Sequence, residues 1–210
     1  MVMTAVNSFF DWVTRIALLN VLWIIFTLLG AVILGLFPAT AATFTIARKW
    51  VSGETDIPVV RTFWECYKKD FVQSNLLGYI LSVIAYVLYL DFVFLTVSPS
   101  KAVYFLTIPF IIIAFIFTLA ALYVFPVFVY YDMKLFQVLR TAFVIMVLHP
   151  LQTFTMLIGC LGVIVILWTF QGLVIFFGPA VLAVVIMMPA YKTFQKINGK
   201  KVLHLENNHS

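Results

Sequence analysis

Apolar positions in this chain come in long blocks, with neither the strict alternation of a half-buried strand nor a single narrow helical stripe. The blocks fall at about 16–37, 75–97, 103–130, 151–170 and 173–190. Each reaches the ~18 residues that an apolar helix needs to cross a bilayer. The pattern predicts an all-α integral membrane protein with five transmembrane helices. A membrane β-barrel would instead show short alternating segments. The breaks are Ser98-Pro99-Ser100-Lys101, the Asp132-Met133-Lys134 region and Gln171-Gly172. The last is so short that spans four and five are expected to form an antiparallel hairpin.

The first block does not stop cleanly. It runs into FPATAATFTIARKW (Phe37 to Trp50). One straight helix from Ile16 to Trp50 would measure roughly 52 Å at 1.5 Å per residue, more than the ~40–45 Å of a bilayer with its headgroups. It must tilt, kink or turn, and Gly30, Gly35 and Pro38 provide the places. Beyond Pro38, the residues Ala39, Thr43 and Ala47 recur at i+4 and form a small-residue face for close helix packing. Arg48 and Lys49 are expected to snorkel to the headgroups, with Trp50 in the interfacial belt.

The same punctuation recurs. Spans one, three and five end near Pro38, Pro126 and Pro189, each followed by a basic or aromatic exit. Spans two and four are preceded by elbows, Val59 to Phe71 and Leu135 to Leu148, expected to lie along the membrane surface. Arg61, Lys68 and Lys69 would anchor the first elbow and Arg140 the second, while Pro150 turns the second elbow into span four. Both elbows carry Arg-Thr with a Phe within two residues, so two helix–elbow–helix units plus a fifth helix are expected. A single transmembrane domain would then cover 1–197, with a polar tail over 198–210.

Composition agrees with the pattern. The chain of 210 residues is 64% hydrophobic and 10% charged, against about a quarter charged in soluble domains. Basic residues suggest direction: Arg48, Lys49, Arg61, Lys68, Lys69, Lys134, Arg140, Lys192, Lys196, Lys200 and Lys201 fall on one side of a five-span chain, with Arg15 and Lys101 on the other. The positive-inside rule then puts the N-terminus outside and the C-terminus in the cytoplasm of a bacterial plasma membrane. Asp11 and Arg15, spaced i, i+4 among Phe9, Phe10 and Trp12, read as a short amphipathic segment on the outer surface. Ala39-Thr40-Ala41 resembles a signal-peptidase site, but the preceding run is longer than a usual signal core, and an uncleaved chain is expected. The net charge of +5 is accounted for by anionic lipid headgroups, and no nucleic-acid partner is implied.

Chemistry-bearing residues are sparse. Cys66 and Cys160 stand far apart without metal-ligand spacing, and no metal or other cofactor is expected. No nucleophile–base pairing or phosphate-binding glycine motif occurs, so no catalytic residues are assigned and an enzyme is not expected. Two ionisable residues remain as functional candidates. Asp91 lies near the outer part of span two and would be a counter-charge or an interfacial carboxylate. His149, just before Pro150, would be a proton-responsive switch or a partner for a carbonyl freed by the proline. Asn20, Asn75 and Gln171 are expected to cap helices or bond across them.

The segments NVLWIIFTLLG (20–30), GLFPATAATF (35–44), RKWVSGETDIPVVRTFW (48–64), YKKDF (67–71) and NLLG (75–78), with YYDMKL (130–135) and HPLQT (149–153) further on, resemble the YesL-like family of small multi-span membrane proteins of Firmicutes. Genes of that family commonly neighbour carbohydrate import systems and two-component sensors. The resemblance therefore implies an accessory role in sugar uptake or sensing, with a sugar permease, a sensor kinase or a second copy as partner, all within the lipid bilayer. It brings no established ligand residues. The competing expectation from the residues is a small transporter or membrane substrate-binding component, which would require polar groups deep in the spans.

Overall fold

The computed structural model describes the backbone of residues 2–97 and 101–207 and the side-chain surroundings of 10–97 and 105–199. The described residues form eight α-helices and no strand: α1 (Val2–Leu29), α2 (Leu36–Val51), α3 (Val59–Lys69), α4 (Phe71–Val97), α5 (Lys101–Tyr130), α6 (Leu135–Leu148), α7 (Pro150–Thr169) and α8 (Gln171–Asn207). Five have stretches long and apolar enough to cross a membrane: Phe10–Leu29, Phe71–Val97, Phe105–Tyr130, Pro150–Thr169 and Gln171–Gly199. These correspond to the five expected spans. The elbows are α3 and α6, and a single residue, Phe170, separates α7 from α8.

The first block departs from expectation. It is neither tilted through nor kinked at Pro38, but cut at 30–35 and folded back. Trp12 meets Trp50 edge to face at 5.5 Å, Trp23 Nε1 donates to Thr40 Oγ1 at 3.0 Å, and Gly35 lies against the backbone of Phe26 and Thr27. Those pairings run in opposite senses along the chain, so α2 returns antiparallel beside α1. Gly30 and Gly35 permit it, since a Cβ on Gly30 would stand 2.3 Å from the Gly35 Cα. Pro38 sits in the first turn of α2, where its missing N–H has no intrahelical partner to lose.

This hairpin sets which helix ends lie together. Arg15 belongs to one continuous α1, not to a separate surface segment, and its guanidinium donates to the Thr55 carbonyl. The Arg15 end of α1 therefore stands beside the Arg48 end of α2. Arg48 in turn reaches the carbonyl of Val129 on α5, and Tyr130 packs on Phe194 and accepts from Asn198 of α8. The N-terminal half of α1 and the C-terminal half of α8 thus share one end of the bundle instead of lying at opposite ends. A helical hairpin reverses the chain without adding a basic loop, so a charge count that gives each apolar block one crossing does not register it.

The tip of the hairpin is irregular backbone, with Ala31 (φ 53°) and Val32 (φ 64°) both left-handed, a conformation costly for a β-branched residue. Side chains of α4 hold it. Asn75 Nδ2 donates to the Leu34 carbonyl at 2.9 Å and Tyr79 Oη to the Ile33 carbonyl at 3.1 Å, supplying bonds that apolar surroundings cannot. Beyond Tyr79, α4 continues to Val97, roughly 27 Å further. The hairpin tip therefore stops well short of the far end of the α4–α5 pair.

α2 is the hub. It contacts α1, α3, α4, α5 and α8, and its buried residues include Ala39, Ala41, Ala42, Thr43, Ile46 and Ala47. The expected narrow face of Ala39, Thr43 and Ala47 is thus part of a helix that is small and buried on most sides, which lets five neighbours approach. A second device locks α8 to α1. Pro179 has no N–H, so the carbonyl four residues earlier, at Ile175, loses its helical donor. Asn20, fully buried, donates to that carbonyl at 2.6 Å and accepts from the Ala180 N–H at 3.2 Å. Pro126 and Pro189 are also buried within helices that run on past them.

The repeat is visible in the architecture: α2–α3–α4 and α5–α6–α7 follow the same order, each elbow packing on the helix before it. The elbows differ in what they face. α3 buries Val59, Thr62, Phe63 and Tyr67 and exposes Arg61, Glu65 and Lys68. α6 buries Val138, Ala142, Ile145 and Met146, yet its outer face carries Phe136, Phe143, Val147 and Leu148 beside Arg140. The outer face of the first elbow is mixed, with Val60 and Trp64 exposed among its charges, and that of the second is largely apolar. The expected polar tail is partly helix, because α8 continues through Gly199 to Asn207 with no proline to stop it; 208–210 lie outside the described residues.

Candidate functional site

Polar groups gather where α2, the α3–α4 junction and the end of α5 meet. A cavity of about 280 Å³ there is lined by Arg48, Lys49, Lys69, Asp70, Gln73 and Asp132, with Thr45, Cys66, Tyr130 and Tyr131 around them. Local sequence explains the convergence. Arg48 and Lys49 fall in the last turn of α2, Lys69 closes α3, and Asp70 is its C-cap. Asp132 lies in the non-helical link after α5.

Electrostatically the cavity is mixed. Burial pushes the Asp70 carboxyl above its ordinary range; Asp132 adds to this, while Lys69 and Arg48 oppose it. Burial also raises the Cys66 thiol, with Asp70 contributing in the same direction, so Cys66 is a poor nucleophile at neutral pH. Among the described residues the only ion pair within 4 Å is Arg61–Glu65, exposed on α3 at 2.9 Å, a pairing worth little.

The raised Asp70 carboxyl has a consequence for stability. A carboxyl whose folded value exceeds its unfolded one binds more protons when folded, so its contribution falls as pH rises through that interval. Asp70→Asn is expected to raise the melting temperature of the purified protein at neutral pH. The difference should vanish below the ordinary carboxylate range. Thermal scans from acid to neutral pH check this; equal curves throughout would contradict it.

The residues expected as anchors divide. Arg48 does not snorkel outward: it is half-buried and donates to Val129 at 2.5 Å, tying α2 to α5. Trp50 is 3% exposed and meets Trp12 edge to face rather than standing in an interfacial belt, its indole N–H without a partner. Both follow from the hairpin, which turns the end of α2 into core. Arg61, Lys68, Lys69 and Arg140 are exposed, with Lys68 over the Trp64 ring at 4.7 Å. Asp91 is exposed on the outer half of α4, far from the cavity. His149 joins α6 to α7, its carbonyl accepting from Thr153 Oγ1 at 3.1 Å, and Pro150 opens α7. Neither Asp91 nor His149 is brought to the polar cavity. Among the described residues no group of three His, Cys, Asp or Glu side chains could hold a metal ion.

Asp70 and Asp132 were not singled out by sequence reasoning. The signal available was their position: Asp70 directly follows the basic last turn of α3, and Asp132 lies in the short link between α5 and α6, two residues before Lys134.

The described residues thus form a helical membrane-type bundle with a broken first span and a polar cavity at its basic end. Residues 16–92, which include the hairpin, α3 and most of α4, match the family described as "Protein of unknown function, DUF624". The chain is 36% identical over 200 residues to "Uncharacterized protein YesL" of Bacillus subtilis (strain 168), covering 95% of this chain and 94% of that protein. From the same organism, "Uncharacterized protein YesV" is 36% identical over 90% of each chain. "Uncharacterized protein YteU" is 35% identical over 90% of this chain and 85% of its own. The chain belongs to the DUF624 family of YesL-like proteins. No solved structure matches it.

Proposed function

We propose that the protein is a non-enzymatic accessory subunit of a carbohydrate uptake or sensing assembly in the bacterial plasma membrane, with a sugar permease or sensor kinase as its partner. One observation carries the accessory part. In α4 and α5, residues 80–97 and 105–122 contain no buried side chain, and Asp91 is the only charged residue among them. In lipid, apolar surface alone gives no drive for association, and helices pair through close contact with a neighbour. An apolar helix pair left unpacked by its own chain offers a partner a lateral face. The carbohydrate part rests on the gene company that the family resemblance implies. By the positive-inside rule, the end bearing Arg15, Arg48 and Lys196 faces the cytoplasm, with both ends of the bundle's chain on that side.

A transporter acting alone would need polar groups lining a path through the spans. The polar cavity lies instead at the basic end, and the cavity where α5, α6 and α7 meet is lined by apolar side chains such as Phe115, Leu119, Phe154 and Leu157, with Thr153 its one polar residue.

The test is a mild-detergent pull-down of tagged full-length protein from native membranes, with partners identified by mass spectrometry. Stoichiometric recovery of a sugar permease or sensor kinase is expected, and outward-facing tryptophan or aspartate substitutions on α4, such as Val83→Asp, should abolish it. Recovery of the protein alone, as monomer or homo-oligomer, would overturn the proposal.

A further inference from the structure

The cavity at the basic end places opposite charges around one space without pairing them. Arg48, Lys49 and Lys69 line it together with Asp70 and Asp132, yet none of these cations lies within 4 Å of either carboxylate. Two of the lining groups are committed elsewhere. Arg48 is held by the Val129 carbonyl and Tyr130 accepts from Asn198, so neither is free to collapse across the gap.

Opposite charges separated by a void of about 280 Å³ are poorly explained by a ligand of one sign. A plain anion would meet two carboxylates, and a plain cation would meet three basic groups. A ligand bearing both signs satisfies both sets. The depth of the cavity adds to this. It lies where α4 and α5 leave their apolar stretches, between the exposed Lys69, Gln73 and Asp132 and the buried Thr45 and Phe128. That is where a lipid headgroup would stand, and basic pockets at this level commonly hold one.

We propose that the cavity binds a zwitterionic phosphate–amine group of the phosphoethanolamine type, its phosphate against Arg48, Lys49 and Lys69 and its ammonium against Asp70 and Asp132. Arg and Lys provide charge-assisted bonds to phosphate oxygens, and the carboxylates accept from the ammonium. The group belongs either to a membrane lipid or to a free phosphorylated amine, and the two sources share this chemistry.

Native mass spectrometry of the delipidated full-length protein in detergent separates the outcomes. Phosphatidylethanolamine and phosphatidylglycerol are offered at equal concentration, with O-phosphoethanolamine as soluble competitor. Retention of phosphatidylethanolamine is expected to exceed that of phosphatidylglycerol by about tenfold, the effect of one added charge pair of roughly 1.4 kcal/mol. Asp132→Asn should remove the preference, and Lys69→Ala should lower the retention of both lipids alike, each at an exposed position and with the melting temperature unchanged. Competition by O-phosphoethanolamine would assign the site to the headgroup alone and a soluble source; failure to compete, with the preference intact, would assign it to the lipid. Equal retention of the two lipids, a preference that survives Asp132→Asn, or unchanged retention of both lipids by Lys69→Ala would overturn the proposal.

Discussion

Gly35→Ala is expected to open the N-terminal hairpin. A Cβ at this position would stand 2.5 Å from the Thr27 carbonyl oxygen, 2.6 Å from that of Phe26 and 2.9 Å from the Thr27 Cα. All three are backbone atoms of α1, so no rotamer change relieves the contact, and the two helices must separate. Overpacking a core usually costs about 1–3 kcal/mol, and a clash of main chain with main chain belongs at or above the top of that range. For a chain of this size the melting temperature should fall by on the order of 5–10 °C. Gly162→Ala is the matched control, since a Cβ there meets nothing within 4 Å. Thermal unfolding in detergent distinguishes them. A Gly35→Ala protein as stable as Gly162→Ala would mean that α2 does not lie against α1.

The second large effect is expected at Asn20. Its amide serves both the Ile175 carbonyl and the Ala180 N–H on either side of the Pro179 position, and it has no exposure to solvent. Asn20→Leu would leave two buried backbone groups unpaired, at about 1–3 kcal/mol each, so a loss of about 2–4 kcal/mol is expected. The mechanism makes a sharper claim than the loss itself. Pro179→Ala returns an N–H that can bond Ile175, so the cost of Asn20→Leu should shrink in that background, a coupling within the ~0.5–3 kcal/mol of contacting residues. Equal costs in both backgrounds would show that Asn20 stabilises α8 for some other reason.

These two sites show what the sequence conveyed and what it did not. The apolar blocks mapped onto α4, α5 and α7 within a few residues, because block length is a local property set by bilayer thickness, whereas α8 begins where its block does and runs well past it to Asn207. Gly30, Gly35 and Pro38 marked the place where the first block had to bend, but a kink and a full reversal use the same residues. What selects reversal is tertiary: Asn75 and Tyr79 bonding the tip, and α4 and α8 packing on either flank of α2. The charge count could not register the reversal for the same reason, since it gives every apolar block one crossing. Asn20 was legible as a helix-bonding amide, though not its partner, which lies 155 residues away. The polar cavity was least legible, because its acids come from separate helix ends with no spacing to link them.

The hairpin carries both the proposed sidedness and the geometry of the cavity, and substituted-cysteine labelling tests it most directly. With Cys66 and Cys160 replaced by alanine, single cysteines are placed at Trp12 and Gly53 on the basic end and at Val97 on the far end of α4. A membrane-impermeant thiol reagent is applied to intact cells and then to inverted vesicles. The fold predicts that positions 12 and 53 react together, in inverted vesicles, while position 97 reacts in intact cells. Labelling of 12 and 53 from opposite sides would mean that the first block crosses the membrane once, and that α2 does not return beside α1.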